Sequence, residues 1–431
     1  MSMGRTRLPA GFQRLLAAAI SSNLGDGIRL TALPLLAATV TRDPLAIGAV
    51  SGITMAPWLL GPIGGAIVDR GDRIRIMQMG QVARGVAVAA LGVVALTGTV
   101  QLWMVYAVAL LIGIGEVLVD SALQASIPAL VESGQLEQAN GRMVAGMTIS
   151  GEVVGGPVGG LLFSLGAGLP FLVDASTFLL AAVLLVGIRL RPRQRTPVRE
   201  PVAAAVGSGA GGVGVVDGEP SARQEPPPTR FWADVREGMA ALWDHDLLRP
   251  LAGVVGLVNV GTSAVGALLV LLALDELGLS EAGYGYLLGV GAVGGLLGSL
   301  AADEMRILFG RPAVLMTAGV FVAAGEWLVA FSPSGGVAAL GIALVAFAGG
   351  TFNVVGRSLR QAVVPDELLG RVIATFRVVG VGGVPVGAFL GGAVASLTSV
   401  RTTMVLAATL LTVASFLLTM VTRRIPEEHR R

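Results

Sequence analysis

From Pro44 to Val68, from Leu251 to Leu274 and from Thr402 to Thr422 the chain carries no charged residue. Each stretch reaches the ~20 residues that an α-helix needs to cross the hydrocarbon core of a bilayer. This constrains the fold more than any motif does. A helix on the surface of a soluble domain needs a polar, charge-bearing face, and these stretches hold no charge at all. Only 13% of the 431 residues are charged, against roughly 25% in an average soluble domain. The chain reads as an all-α polytopic membrane protein.

Twelve segments of this kind are predicted, at 12–40, 46–68, 77–98, 102–127, 138–165, 169–189, 249–273, 281–303, 312–331, 336–357, 371–397 and 399–422. They divide the chain into a six-helix bundle over 1–190, a flexible linker over 191–230, and a second six-helix bundle over 231–431. The linker, from RPRQRTPVRE to SARQEPPPTR, is rich in Arg, Pro, Gly and Ala and cannot build a core. Before helix seven, Phe231, Trp232, Val235, Met239, Leu242 and Trp243 recur at helical spacing, as expected of an amphipathic helix lying in the membrane interface. The first apolar segment is too long for the core of a cleaved signal peptide.

Arginine placement orients the spans. With the N-terminus inside, the cytoplasmic loops hold Arg70, Arg73, Arg75, Arg142, the linker arginines, Arg306, Arg311, Arg357, Arg360 and Arg371. The opposite loops hold only Arg42 and Arg401, beside Asp43, Asp275, Glu276 and Glu281. The positive-inside rule then puts both termini in the cytoplasm of an inner, or plasma, membrane.

Several function classes are excluded. Without cysteine, and with only His245 and His429, neither thiolate chemistry nor a histidine metal site is available, and no metal or cofactor is expected. A net charge of +2, spread over loops, gives no nucleic-acid face. An ATP-driven pump would need a Gly-x-x-x-x-Gly-Lys-Ser/Thr loop, and the chain contains no lysine.

The halves repeat each other. LQASIPALVESGQLEQANGRM, from Leu123, and LRQAVVPDELLGRVIATFRV, from Leu359, each follow the fourth helix of a half and carry a Pro and then Gly-Arg. Each leads into a Gly- and Pro-rich helix, GEVVGGPVGGLL from Gly151 and VGGVPVGAFLGG from Val381. Duplicated halves commonly enclose a transport site near the midplane.

The loop GGAIVDRGDRIRI, with Gly65, Asp69, Arg70, Arg73 and Arg75, resembles the Gly-x-x-x-Asp-Arg-x-Gly-Arg-Arg signature of the major facilitator superfamily. Asp72 stands where that family often has Gly. With twelve spans the resemblance covers essentially the whole chain, and it implies two pseudo-symmetric six-helix bundles. The Asp72 departure, NLGDGIRLTALPLLAA, IPALVESGQLEQANG, FLVDASTFLLAA and RQAVVPDELLGRV are similar to the family's drug and siderophore exporters, the branch that includes enterobactin and macrolide exporters. GEVVGGPVGG resembles the Gly-Pro-x-x-Gly-Gly signature of drug/proton antiporters: Gly156, Pro157 and Gly160 fit, and Leu161 replaces the last Gly. The resemblance implies that helix five meets helix eight and helix two meets helix eleven. It also implies that Asp69 faces the start of helix eleven, near Arg371, as a latch at the cytoplasmic end.

Ionisable groups inside a membrane are costly and mark candidate sites. Asp26, between Gly25 and Gly27, shares a helix face with Arg29 three residues on. Glu152 lies near mid-membrane with no sequence-local partner. These three are the proton-coupling candidates. Glu116 and Asp120, four apart in helix four, are expected to form an inner-gate network with Arg84 of helix three. Asp174, Glu326 and Arg377 are read as structural. Met55, Trp58 and Asn259 are candidates for lining an apolar cavity. The expected function is export of lipophilic, often cationic, small molecules by proton antiport, as a monomer that is not an enzyme. Uptake, uncoupled facilitation and a non-transporting receptor of the same fold are the alternatives.

Overall fold

The computed structural model describes residues 8–190, 239–240, 242–363 and 366–425, with backbone alone at 62, 133, 361–362, 366–375 and 377. Among the described residues the protein is an all-α polytopic membrane protein, its helices forming two bundles of six. The first bundle holds α1 (Ala10–Val40), α2 (44–70), α3 (Arg73–Thr97), α4 (Leu102–Leu130), α5 (Leu136–Leu165) and α6 (Leu169–Leu184). The second holds α7 (Leu248–Glu276), α8 (281–309), α9 (311–330), α10 (Gly335–Val363), α11 (Asp366–Leu397) and α12 (Val400–Thr422). The expected linker, and Phe231, Trp232 and Val235 of the expected interfacial helix, lie outside the described residues. Of that helix Leu242 is buried and Trp243 exposed.

Local chemistry sets the ends and breaks. Asp43 caps α2, accepting from the Leu45 N–H at 3.1 Å, and Pro44 occupies the first helical position, where its missing N–H costs nothing. A 3-10 turn over Ala56–Leu60, containing Pro57, breaks α2 midway and turns Trp58 toward α4. The expected loop between α8 and α9 contracts to one non-helical residue. Gly310 takes φ 78°, a region open to glycine, and Pro312 starts the next helix. In α5 the stretch Thr148–Gly155 widens into π geometry just before Gly156-Pro157, a distortion common at functional sites.

The apolar cores show how the halves sit. One cluster spans both halves at the end of the molecule away from the termini. It joins Leu33, Leu36, Ile47 and Phe171 of the first half to Leu268, Leu272, Tyr284 and Met404 of the second. Toward the termini this core divides in two. Phe12, Met77, Ile127 and Leu185 pack within the first half, and Leu248, Leu315, Leu359 and Leu418 within the second. The halves are thus sealed together at the far end and have separate cores at the terminal end. Lipid is as apolar as these side chains, so close packing, not water exclusion, holds the helices together.

The pseudo-symmetry expected from the repeat is visible in the seams between halves. On one seam Gly160 of α5 lies against the Glu281 carbonyl and Gly285 of α8; on the other, Gly392 of α11 lies against Pro44 and Leu45 of α2. Gly156 and Pro157 belong to the first seam, packed on Leu288 and Gly289. Gly156, Pro157 and Gly160 therefore lie between the halves.

A midplane ionic cluster and the comparisons that frame it

Five charged side chains from four helices of the first half converge near mid-depth. The Arg29 Nη2 donates to Asp26 Oδ1 at 2.6 Å, the i,i+3 pair expected within α1. Arg84 of α3 donates to the same carboxylate oxygen. Asp174 of α6 lies 3.3 Å from Arg29 Nε, and Glu116 of α4 lies 3.8 Å from Arg29 and 4.0 Å from Arg84. The cations are almost wholly enclosed, with side chains 3% and 1% exposed; Asp174 is at 0%, whereas Asp26 and Glu116 keep 18% and 23%. The two partly exposed carboxylates are therefore the cluster's openings.

Small residues make the room. A Cβ on Gly25 would fall on the Asp174 carboxylate and Thr177, and one on Gly115 would press on the Arg84 side chain. Arg84 also lies over the Phe178 ring at 4.2 Å, a cation–π contact that helps hold it out of water. Beneath it Gln81 and Ser22 exchange hydrogen bonds at 3.0 and 3.2 Å. Trp58, on the broken part of α2, lies beside Glu116.

The expected trio of Arg84, Glu116 and Asp120 does not form as such. Arg84 and Glu116 join the Asp26–Arg29 pair, while the Gln124 amide donates to Asp120 at 2.8 Å. The reason is depth: the two acids share a helix face but lie a turn apart along it. Glu116 lies near the midpoint of α4, not in its inner half, and Asp120 is a turn further along. Asp174 is the member the sequence reading assigned to structure alone. It is near the start of a short helix, but the long Arg29 side chain reaches it from α1.

Glu152 is exposed and carries no ion pair among the described residues. It is one turn before Gly156, which packs on Gly285 and Leu288 of α8. Its neighbour Gly151 touches α1 at Asn23 and Gly27, one residue from Asp26. Of the cavity candidates, Met55 and Trp58 are half-buried. Asn259 is half-buried as well, and its amide donates to the Gly380 carbonyl at 2.7 Å and so ties α7 to α11. Glu326 is buried in α9 with Oε2 unpartnered, and the Arg377 side chain lies outside the described residues.

The loop between α2 and α3 is built as a short brace. Asp72 caps α3, accepting from the Ile74 and Arg75 N–H groups at 3.0 and 3.2 Å, and pairs with Arg75 at 3.6 Å. Arg73 donates to the Ala125 carbonyl at 2.7 Å, fixing the loop to the end of α4. Asp69 is 68% exposed and 3.9 Å from Arg73; Arg70 is exposed, and a Cβ on Gly65 would meet nothing within 4 Å. The expected partner of Asp69, the Arg371 side chain, lies outside the described residues. The capping geometry accounts for an acid at position 72. Asp72→Ala is expected to cost about 1 kcal/mol and Asp72→Gly only a few tenths; thermal unfolding midpoints of the two variants check the order.

Among the described residues no group of three or more His, Asp or Glu side chains is placed to hold a metal ion. Residues 15–243 match the family model described as Major Facilitator Superfamily, and residues 250–430 match the one described as Transmembrane secretion effector. Uncharacterized MFS-type transporters of Mycobacterium bovis and Mycobacterium tuberculosis are each 28% identical over 143 residues, which is 32% of this chain and 32% of each relative. The match thus spans about a third of the length of these curated relatives. The fold is also that of solved transporters. The nucleoside transporter NupG matches with a TM-score of 0.72 at 14% identity, over 95% of this chain and 99% of that one. A bacterial homologue of the iron transporter ferroportin, in an inward-facing state, matches with 0.71 at 17% identity over 96% and 99%. A bacterial homologue of the lysosomal transporter Spinster, inward-facing and unoccupied, matches with 0.68 at 15% identity over 98% of both chains. Twelve helices in two halves, a polar cluster buried at mid-depth and a family model covering residues 15–243 lead to one conclusion: the chain belongs to the Major Facilitator Superfamily.

Proposed function

We propose that the protein is a secondary transporter that exports lipophilic small molecules in exchange for protons, by alternating access. The cluster of Arg29, Arg84, Asp26, Glu116 and Asp174 carries this reading. Two guanidiniums face three carboxyls, so full ionisation leaves one net negative charge inside the bilayer, and one bound proton cancels it. Charge inside hydrocarbon is costly, so the neutral, protonated cluster is the form suited to move. Glu116 and Asp26, the partly exposed members, exchange that proton with the cleft. Glu152, exposed beside the same crossing of α1 and α5, is a second acid available to a proton or a cationic solute.

Orientation and direction belong to the same reading. With both termini in the cytoplasm of the inner membrane, the sealed far end is external and the cleft opens inward, as it does where solute is loaded for export. The match of the second half to a family described as a secretion effector supports the outward direction. The membrane segments hold few Asn, Gln and aromatic residues, which favours lipophilic over sugar-like solutes. A single chain encloses the whole cleft, and the protein works as a monomer. Residues 1–190, 191–230 and 231–431 serve as first bundle, linker and second bundle.

The test is proton movement in inside-out vesicles with an acidic interior. Lipophilic cations, antibiotics and siderophores are added in turn while internal pH is followed. Solute-dependent alkalinisation is expected with the wild type, and is expected to be lost in Asp26→Asn and reduced in Glu152→Gln at equal protein level. Solute binding without any proton movement by the wild type would overturn antiport in favour of facilitation.

A further inference from the structure

Polar contacts tie the halves together at the far end, and they are distributed unequally between the two seams. On the α2–α11 seam the Ser396 hydroxyl donates to Asp43 Oδ1 at 2.7 Å, with the Gly392 carbonyl of its own helix a longer acceptor at 3.1 Å, and accepts from the Leu45 N–H at 3.0 Å. The same Asp43 oxygen accepts from Leu45 as the cap of α2, so the cross-half contact is built into the start of that helix. Beside it Arg42 pairs with Asp275, at the end of α7, at 3.0 Å. One short turn of the first half, residues 41–45, is thereby held by two separate elements of the second.

Among the described residues the α5–α8 seam lacks the counterpart. Ser396 is four residues beyond Gly392, where α11 abuts α2. Four residues beyond Gly160, where α5 abuts α8, stands Ser164, and its hydroxyl returns to the Leu161 carbonyl of its own helix at 2.7 Å. Among the described residues that seam is closed by close contact of Gly156, Gly160 and Gly285 and by the apolar Pro157 and Leu288, with no side-chain hydrogen bond or ion pair across it.

We propose that the far end carries a one-sided lock: Asp43, Ser396, Arg42 and Asp275 latch the α2–α11 seam, and the α5–α8 seam acts as the hinge. The far end opens by release of the latch, with the halves turning about Gly156, Gly160 and Gly285. The Arg42–Asp275 pair is half-exposed, at 56% and 43%, so salt screens it. The Ser396–Asp43 tie is a short hydrogen bond, and salt leaves it largely intact. The lock therefore loosens in two separable steps. It rests on the alternating-access reading but not on proton coupling.

The test is a distance measurement across the latched seam. Because the chain has no cysteine, Val40→Cys and Leu397→Cys accept spin labels without any background. Both positions are at the far end, and Leu397 is highly exposed. Without substrate, the wild type is expected to give one short distance. Ser396→Ala/Asp275→Asn is expected to raise a longer component several-fold. Salt at about 1 M is expected to reproduce the Asp275→Asn share of that change and leave the Ser396→Ala share untouched. Ser164→Ala, on the hinge seam, is expected to change nothing. An unaltered distribution in the double variant, or an equal shift with Ser164→Ala, overturns the proposal. Neither readout uses solute or protons, so failure of the antiport reading leaves this test standing.

Discussion

Arg84→Gln is expected to remove most of the folded protein, and Asp26→Asn in the same chain to bring it back. Arg84 is 1% exposed and shares the Asp26 carboxylate with Arg29. Removing it leaves Arg29 alone among three acids. Breaking one partner of a buried ion pair costs about 3–5 kcal/mol, and the lost contact with the Phe178 face adds about 0.5–2 kcal/mol. Both are large beside the 5–15 kcal/mol by which a folded domain is stable. The surviving acids can take up protons, which places the expected loss toward the lower figures. The double variant restores the balance of charge, so its unfolding midpoint in detergent should recover by the coupling of about 0.5–3 kcal/mol that contacting residues show. Proton movement in vesicles should not recover with it, because the shared carboxylate is gone. A single variant that unfolds with the wild type's midpoint would mean that the cluster is loosely held and its geometry is not what sets the charge balance.

That cluster also shows where sequence reasoning stops. The spans were legible because a membrane helix must be apolar along most of its length, whatever it packs against. The boundaries were set by caps instead: α3 begins at Arg73 rather than 77 because Asp72 satisfies its first N–H groups. Asp26 and Arg29 were legible because a helix puts i and i+3 on one face. Arg84 and Glu116 were visible as buried charges, but no periodicity says which helix they turn toward. Asp174 was hidden by its position near the start of α6, and its partner is on a helix 145 residues earlier. The signal that points to it is Gly25, a gap in α1 opposite the acid. The latch at the far end was hidden in another way. Asp43 is an ordinary helix cap and Ser396 an ordinary residue in the last turn of α11, and only the fold brings them to 2.7 Å.

Gly27→Ala is expected to be the most damaging of the glycine replacements in the first half, and Gly65→Ala to be harmless to the fold. A Cβ on Gly27 would stand 1.8 Å from the Gly151 carbonyl oxygen and 2.9 Å from its Cα, whereas real Cβ atoms essentially never approach under 3.0 Å. The obstacle is backbone, so no side chain can swing away and α1 must part from α5. Overpacking costs about 1–3 kcal/mol even where side chains can adjust. The functional loss should be larger than the stability loss. Asp26 is the next residue, and a displacement of about 1 Å at a reacting group can cost on the order of 10²-fold in rate. At Gly65 a Cβ meets nothing within 4 Å, and Ala favours a helix over Gly by about 1 kcal/mol. Stability should therefore hold or rise. If the loop at Gly65 and Asp69 closes on α11 in the other half of the cycle, Gly65→Ala will slow transport while leaving the unfolding midpoint intact. Gly27→Ala lowers both. Measured together, midpoint and transport rate separate a contact made in this state from one made only when the terminal end shuts. Equal tolerance of both substitutions would mean that α1 and α5 are not in backbone contact, and the placement of Asp26 would fall with them.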